Sequence, residues 1–310
     1  MSLPEPGGEG DGVVESRAHP AADHARQQAQ QDEFAQIACV FPCGVHGFSV
    51  RAFSPFVNKR EGIAFYIWPP YTGPIENKGG TNMKRSEINR ALKEMEAMCE
   101  QEHCYLPPFC HFTPEEWQTK GHEYDEVRDC KLGWDITDYG KGDFDRFGFS
   151  LITIRNGNRA MADKYPSVYA EKLLYLKEGQ YAPNHFHWYK TEDIINRGGG
   201  NVLIRVYNSL PDEEIDRVSD VTVHTDGRTY TVPAGTQIRL TPGESIHIQQ
   251  YLYHDFSVEE GTGPVLLGEV SQCNDDNTDN RFNPPVGRFP TIEEDEPPYR
   301  LLCNEYPAAK

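Results

Sequence analysis

From Lys172 to Ser271 the chain is a succession of short segments rich in β-branched and aromatic residues, broken by Gly, Pro and Asp turns, with no helical pattern between them. The segments read as Lys172–Lys177, Asn201–Tyr207, Val221–Thr225, Thr229–Val232, Thr236–Leu240, Ser245–Gln250, His254–Val258 and Val265–Ser271, with Phe147–Arg155 ahead of them. A parallel sheet needs crossover helices, so a TIM barrel and a doubly wound α/β fold are disfavoured. Asp226-Gly227 is a hairpin turn between two of the segments. Many short strands with tight turns predict a mainly β sandwich or barrel.

A helical preface comes before the strands. Ser86 is placed to cap a helix whose Ile88, Leu92, Met95 and Cys99 recur at helical spacing to about Glu102. Thr113, Pro114 and Glu116 form a capping-box signal for a second helix that ends before Lys131. Residues 1–82 show no sustained period and are rich in Gly, Pro, Gln and Ala, which predicts a largely disordered extension ahead of one domain over 83–310.

A formal net charge of −18, with no Lys/Arg-rich run, makes nucleic acid and an anionic membrane poor partners. No apolar run approaches the roughly 20 residues of a spanning helix. Glu5, Glu9, Asp11 and Glu15 near the start do not fit a secretory leader, so a soluble cytoplasmic protein is expected, with its eight cysteines as thiols. Neither Cys39 with Cys43 nor Cys104 with Cys110 has the paired knuckles of structural zinc. GxGxxG, GxxxxGK[ST] and GxSxG are absent, which leaves dinucleotide, P-loop and nucleophile-elbow chemistry without support.

The residues that suggest chemistry lie between Gly179 and Gly199. His185 and His187 are two apart on a strand or its end, so they share a face about 7 Å apart at Cα. Glu192 follows closely enough for a loop to return a carboxylate to the same ion. A single His on a strand is usually structural, but Gly179, His185, His187, Glu192 and Gly199 together reproduce the spacing of the first cupin motif. The chain thus resembles the cupins, which implies a double-stranded β-helix, or jelly-roll barrel. A later His completes such a site; His254 in QYLYHDF fits, with His247 as its competitor. Three imidazoles and one carboxylate suit Mn, Fe, Co, Ni or Zn and leave about two octahedral positions open.

Longer segments narrow the resemblance. MKRSEIN (83–89), LPPF (106–109), KLGWDITDYG (131–140), HFHWYKTEDIINRGGGN (185–201), LTPGES (240–245) and GEVSQCNDDNTDNRF (268–282) resemble the D-lyxose isomerase family. That resemblance implies reversible conversion of D-lyxose to D-xylulose, and of D-mannose to D-fructose, by a Mn2+-dependent homodimer. It puts the metal ligands on His185, His187, Glu192 and His254 and an active-site lysine on Lys190, and it has no counterpart for residues 1–82. Glu269, a carboxylate in an apolar strand, is the expected proton-transfer base. Asp279 and Arg281 are expected to bind substrate hydroxyls, with Asp279, Glu293 and Glu294 as competing bases. Two other readings are a cupin acting on phosphosugars, with Lys190, Arg205 and Arg288 as phosphate candidates, and a non-catalytic sugar-binding cupin.

Overall fold

The computed structural model describes residues 82–310 other than 277 and 288–290, together with the paired backbone segments Lys59–Arg60 and Ile63–Ala64. Apart from these, the expectations for residues 1–82, including Cys39 and Cys43, and for Arg288 lie outside the described residues.

In chain order the preface consists of β1 (Met83–Lys84), α1 (Arg85–Gln101), α2 (Pro114–Trp117) and α3 (Asp125–Asp129). The strands that follow are β2 (Gly133–Thr137), β3 (Phe149–Arg155), β4 (Tyr169–Leu176), β5 (Tyr181–Phe186), β6 (Glu192–Gly199) and β7 (Val202–Ser209). Then come β8 (Ile215–Asp216), β9 (Val221–Thr225), β10 (Arg228–Val232), β11 (Gln237–Leu240), β12 (Ser245–Ile248) and β13 (Tyr253–Val258). The last are β14 (Val265–Gln272), β15 (Arg281–Phe282) and β16 (Ile292–Glu293).

Two antiparallel sheets face each other. One has eight strands in the order β10-β9-β12-β6-β14-β4-β3-β2; the other runs β8-β7-β13-β5-β15, with β11 also paired to β7. Their inner faces meet in one aliphatic core that includes Leu174, Leu176, Ile194, Ile204, Val206, Val223, Ile246, Phe256 and Leu267. This is a jelly roll. The hairpin at Asp226-Gly227 has φ of +49° and +78°, the left-handed pair that a tight two-residue turn requires.

The preface covers the outer face of the larger sheet. Ile88, Leu92 and Met95 of α1 are fully buried against Trp134, Ile152, Tyr175 and Leu266, so those strands are buried on both faces. A parallel pairing of β16 with β1 brings the C-terminal segment back across α1. There Arg85, 2% exposed, bonds both Glu294 and Glu305. Among the described residues, no helix is long and apolar enough to cross a membrane.

Three local expectations need correction. Ser86 does not cap α1, which begins at Arg85; its hydroxyl and amide both bond Asp295, while Glu87 accepts from the Lys84 amide. The capping box at Thr113 is present, but the second helix is broken. A 3-10 turn, His122–Tyr124, follows Gly121 and separates α2 from α3. Strands β2 and β6 were not anticipated. In β6 the inward positions include Glu192 and Asn196, so burial alternates while hydrophobicity does not.

Candidate metal centre and active site

Strand register assembles the site. His254 on β13 lies directly opposite His185 on β5, and His187 follows at the end of the same strand. The three rings pack with centroids 4.3, 5.0 and 5.6 Å apart, and their ligand atoms lie within 4.8 Å of one another. All three histidines are buried, His254 completely. The motif glycines, Gly179 and Gly199, have φ of +85° and +81°, and a Cβ on Gly199 would strike the Pro264 carbonyl at 2.3 Å. The spacing of the motif thus reflects two turns that only glycine accommodates without strain.

Each imidazole is held by its outer nitrogen. Nδ1 of His185 donates to the Pro183 carbonyl at 2.8 Å, that of His187 to Asp279 at 2.7 Å and that of His254 to Leu252 at 3.0 Å. These bonds fix the tautomer and turn the Nε2 lone pairs inward. Nε2 of His187 and of His254 are buried without a hydrogen-bond partner. The Glu192 carboxylate lies 3.3 and 3.1 Å from them, in contact but without hydrogen-bond alignment. Burial lowers the pKa of His185 and His187, so their imidazoles are neutral near pH 7 and available as ligands. Inward lone pairs beside a buried carboxylate fit a divalent transition ion. Such an ion would be held by His185, His187, His254 and Glu192.

Beside the histidines runs a buried chain of alternating charges. Lys190 Nζ is 2.8 Å from Glu192 Oε2 and 2.9 Å from Glu269 Oε1; Lys172 Nζ is 3.0 Å from the same Glu269 oxygen. Asn274 Oδ1 accepts from both lysines, and Ser271 Oγ donates to Glu269 Oε1. Burial pushes Lys172 down to about 8, opposed by Glu269 and assisted by Lys190. Burial acts on Lys190 in the same sense, but Glu192 and Glu269 outweigh it and raise that ammonium above its ordinary value. For Glu269, burial favours the neutral acid, yet Lys172 and Lys190 overcome it and hold the carboxyl below the usual range.

The other sequence candidates are placed apart from the histidine cluster or in supporting positions. Asp279 is 1% exposed, and its carboxylate accepts from the amides of Tyr189 and Lys190 while its carbonyl holds His187. It braces the loop that carries Lys190. Arg281 reaches Glu213 and Glu214. His247 sits half-exposed on β12 and bonds Asp193, outside the cluster. Glu293 and Glu294 belong to the C-terminal strap over α1, and Arg205 lies on the outer face of the smaller sheet. Sequence reasoning missed Lys172 and Asn274. Lys172 is the direct ladder partner of Glu269, a pairing that no spacing along one strand reveals.

Comparison with known proteins bears on the same segments. The profile of the D-lyxose isomerase family matches residues 83–306. The chain belongs to the D-lyxose isomerase family. This is a family of aldose–ketose isomerases. The chain is 47% identical over 225 residues to the D-lyxose/D-mannose isomerase of Serratia proteamaculans, covering 72% of this chain and 98% of that one. The D-lyxose/D-mannose isomerase of Escherichia coli O157:H7 matches with the same identity and coverage. Among solved structures, the L-ribose isomerase of Acinetobacter sp. DL28 in complex with L-ribose aligns with 69% of this chain and 99% of its own, at 14% identity and a TM-score of 0.45.

Proposed function

We propose that the protein interconverts D-lyxose with D-xylulose, and D-mannose with D-fructose, using Mn2+ held by His185, His187, Glu192 and His254. The observation that carries the reading is the meeting of the inward histidine nitrogens with the Glu269–Lys190 pair in one buried site. Membership of an isomerase family supports the choice of reaction, and the relatives' names support the choice of sugars.

When bound, the ion supplies Lewis-acid stabilisation of negative charge on adjacent sugar oxygens. The chain's own groups move the protons. Glu269 takes the C2 proton of the open-chain aldose and returns it to C1, passing through an enediolate, while the O2 hydroxyl proton moves to O1. The bonds that Glu269 accepts from Lys172, Lys190 and Ser271 all fall on Oε1, which favours Oε2 as the oxygen that takes the proton. Lys190, held as an ammonium between two carboxylates, donates a hydrogen bond to the substrate oxygen that gains charge. Asp279 keeps Lys190 in position through the backbone.

The test is to strip the protein of metal, add Mn2+ and follow a panel of aldoses and ketoses. D-lyxose and D-xylulose should interconvert, activity should vanish on chelation, and His254→Ala should lose both bound metal and turnover. Turnover of phosphorylated sugars alone, or full metal occupancy in His254→Ala, would overturn the assignment.

A further inference from the structure

The smaller sheet has a second face. Residues alternate along β5, β7 and β13, so His185, Val206 and His254 point into the barrel, whereas Asn184, Arg205 and Asp255 line a cavity on the opposite side. The cavity has a volume of about 610 Å³ and shares no residue with the histidine cluster or the Lys172–Glu269–Lys190 chain.

The floor of the cavity is buried and incompletely paired. Asp255 is 2% exposed and Asn184 7%. Asn184 Nδ2 donates to Asp255 Oδ2 over 3.1 Å, while Oδ1 of each residue has no hydrogen-bond partner. A buried acceptor without a donor is unfavourable, and here two stand side by side. Arg205 is the ladder neighbour of Asp255 and is drawn to its charge and to the Tyr207 hydroxyl, the Tyr181 hydroxyl faces Asp255, and the two tyrosine rings supply aromatic walls.

Two adjacent acceptors call for two adjacent donors on the ligand. A neighbouring guanidinium calls for an acceptor on the same ligand, and aromatic walls suit C–H faces. A phosphate would meet the two acceptors as a repelling anion, and a metal ion would meet Arg205 as a repelling cation. We propose that this cavity is a second binding site, specific for a neutral polyol or free sugar held through a vicinal diol. The inference does not rest on the proposed reaction.

Xylitol is the probe, because it has vicinal hydroxyls and no carbonyl to isomerise. Saturation-transfer NMR and titration of the full chain would compare wild type with Leu203→Trp, which fills the cavity from its own lining, and Asn184→Ala, which removes one acceptor. The difference between wild type and Leu203→Trp isolates this cavity from any xylitol at the metal centre. Both variants should melt like wild type and bind xylitol at least about tenfold more weakly. Absence of xylitol binding, equal binding by wild type and the two variants, or a smaller assembly on Leu203→Trp would overturn the proposal, the last by making the cavity a subunit interface.

Discussion

Lys190 stands between two carboxylates that have different surroundings. Glu192 touches the histidine nitrogens, whereas Glu269 is tied to Lys172, Ser271 and Lys190 through one oxygen. Replacing Glu269 by Gln should therefore keep the metal and the fold and lower kcat by about 100-fold or more, the scale of losing a positioned general base. Exchange of the C2 proton with deuterated solvent should fall with it. Normal turnover in Glu269→Gln would move the base elsewhere and leave the histidine site as described. The histidine cluster was legible in the sequence because His185, His187 and His254 sit on two short motifs with fixed turns. Glu269 was legible as a carboxylate in an apolar strand. Its partner Lys172 was not, because strand register depends on the assembled sheet. Asp279 was expected to bind substrate hydroxyls because its residue type fits them, and its tie to the Tyr189 and Lys190 amides was not legible.

The elements show the same division. Strands whose inward residues are aliphatic were readable, with boundaries within a few residues, while β6 was hidden by the polar residues that face inward. Helix α1 was readable from its apolar stripe, but its fastening depends on residues more than 200 positions later. There Arg85 holds the Glu294 carboxyl below the usual carboxylate range, with partial burial opposing it. A depressed carboxylate contributes stability above its unfolded pKa and loses it as pH falls through the folded value. The strap should accordingly loosen on acidification below about pH 4, by no more than about 1 kcal/mol since Glu294 is largely exposed. Hydrogen exchange in the first turn of α1 should speed up over that window. Arg85→Met should flatten this dependence; a pH profile unchanged by the substitution would count against the clamp.

At the scale of the whole molecule, the two facing sheets, the helical preface and the histidine site all lie within 83–310. The family match starts at the same residue. A protein beginning at Met83 should fold and keep its isomerase activity, checked by its melting temperature and by turnover of D-lyxose. Insolubility of that form, relieved only by restoring residues 1–82, would assign the N-terminal segment a structural part. Both sheets were foreseeable from turn spacing, whereas their closure by the C-terminal strap was not, since nothing in TIEEDE marks Glu294 as a partner of Arg85. That closure sets an order of events during synthesis. Arg85 leaves the ribosome 209 residues before Glu294, a wait of roughly 10–40 s at ordinary elongation rates. For that interval the apolar stripe of α1 has no strap to hold it, so the nascent chain should be a client of ribosome-associated chaperones until its last twenty residues emerge.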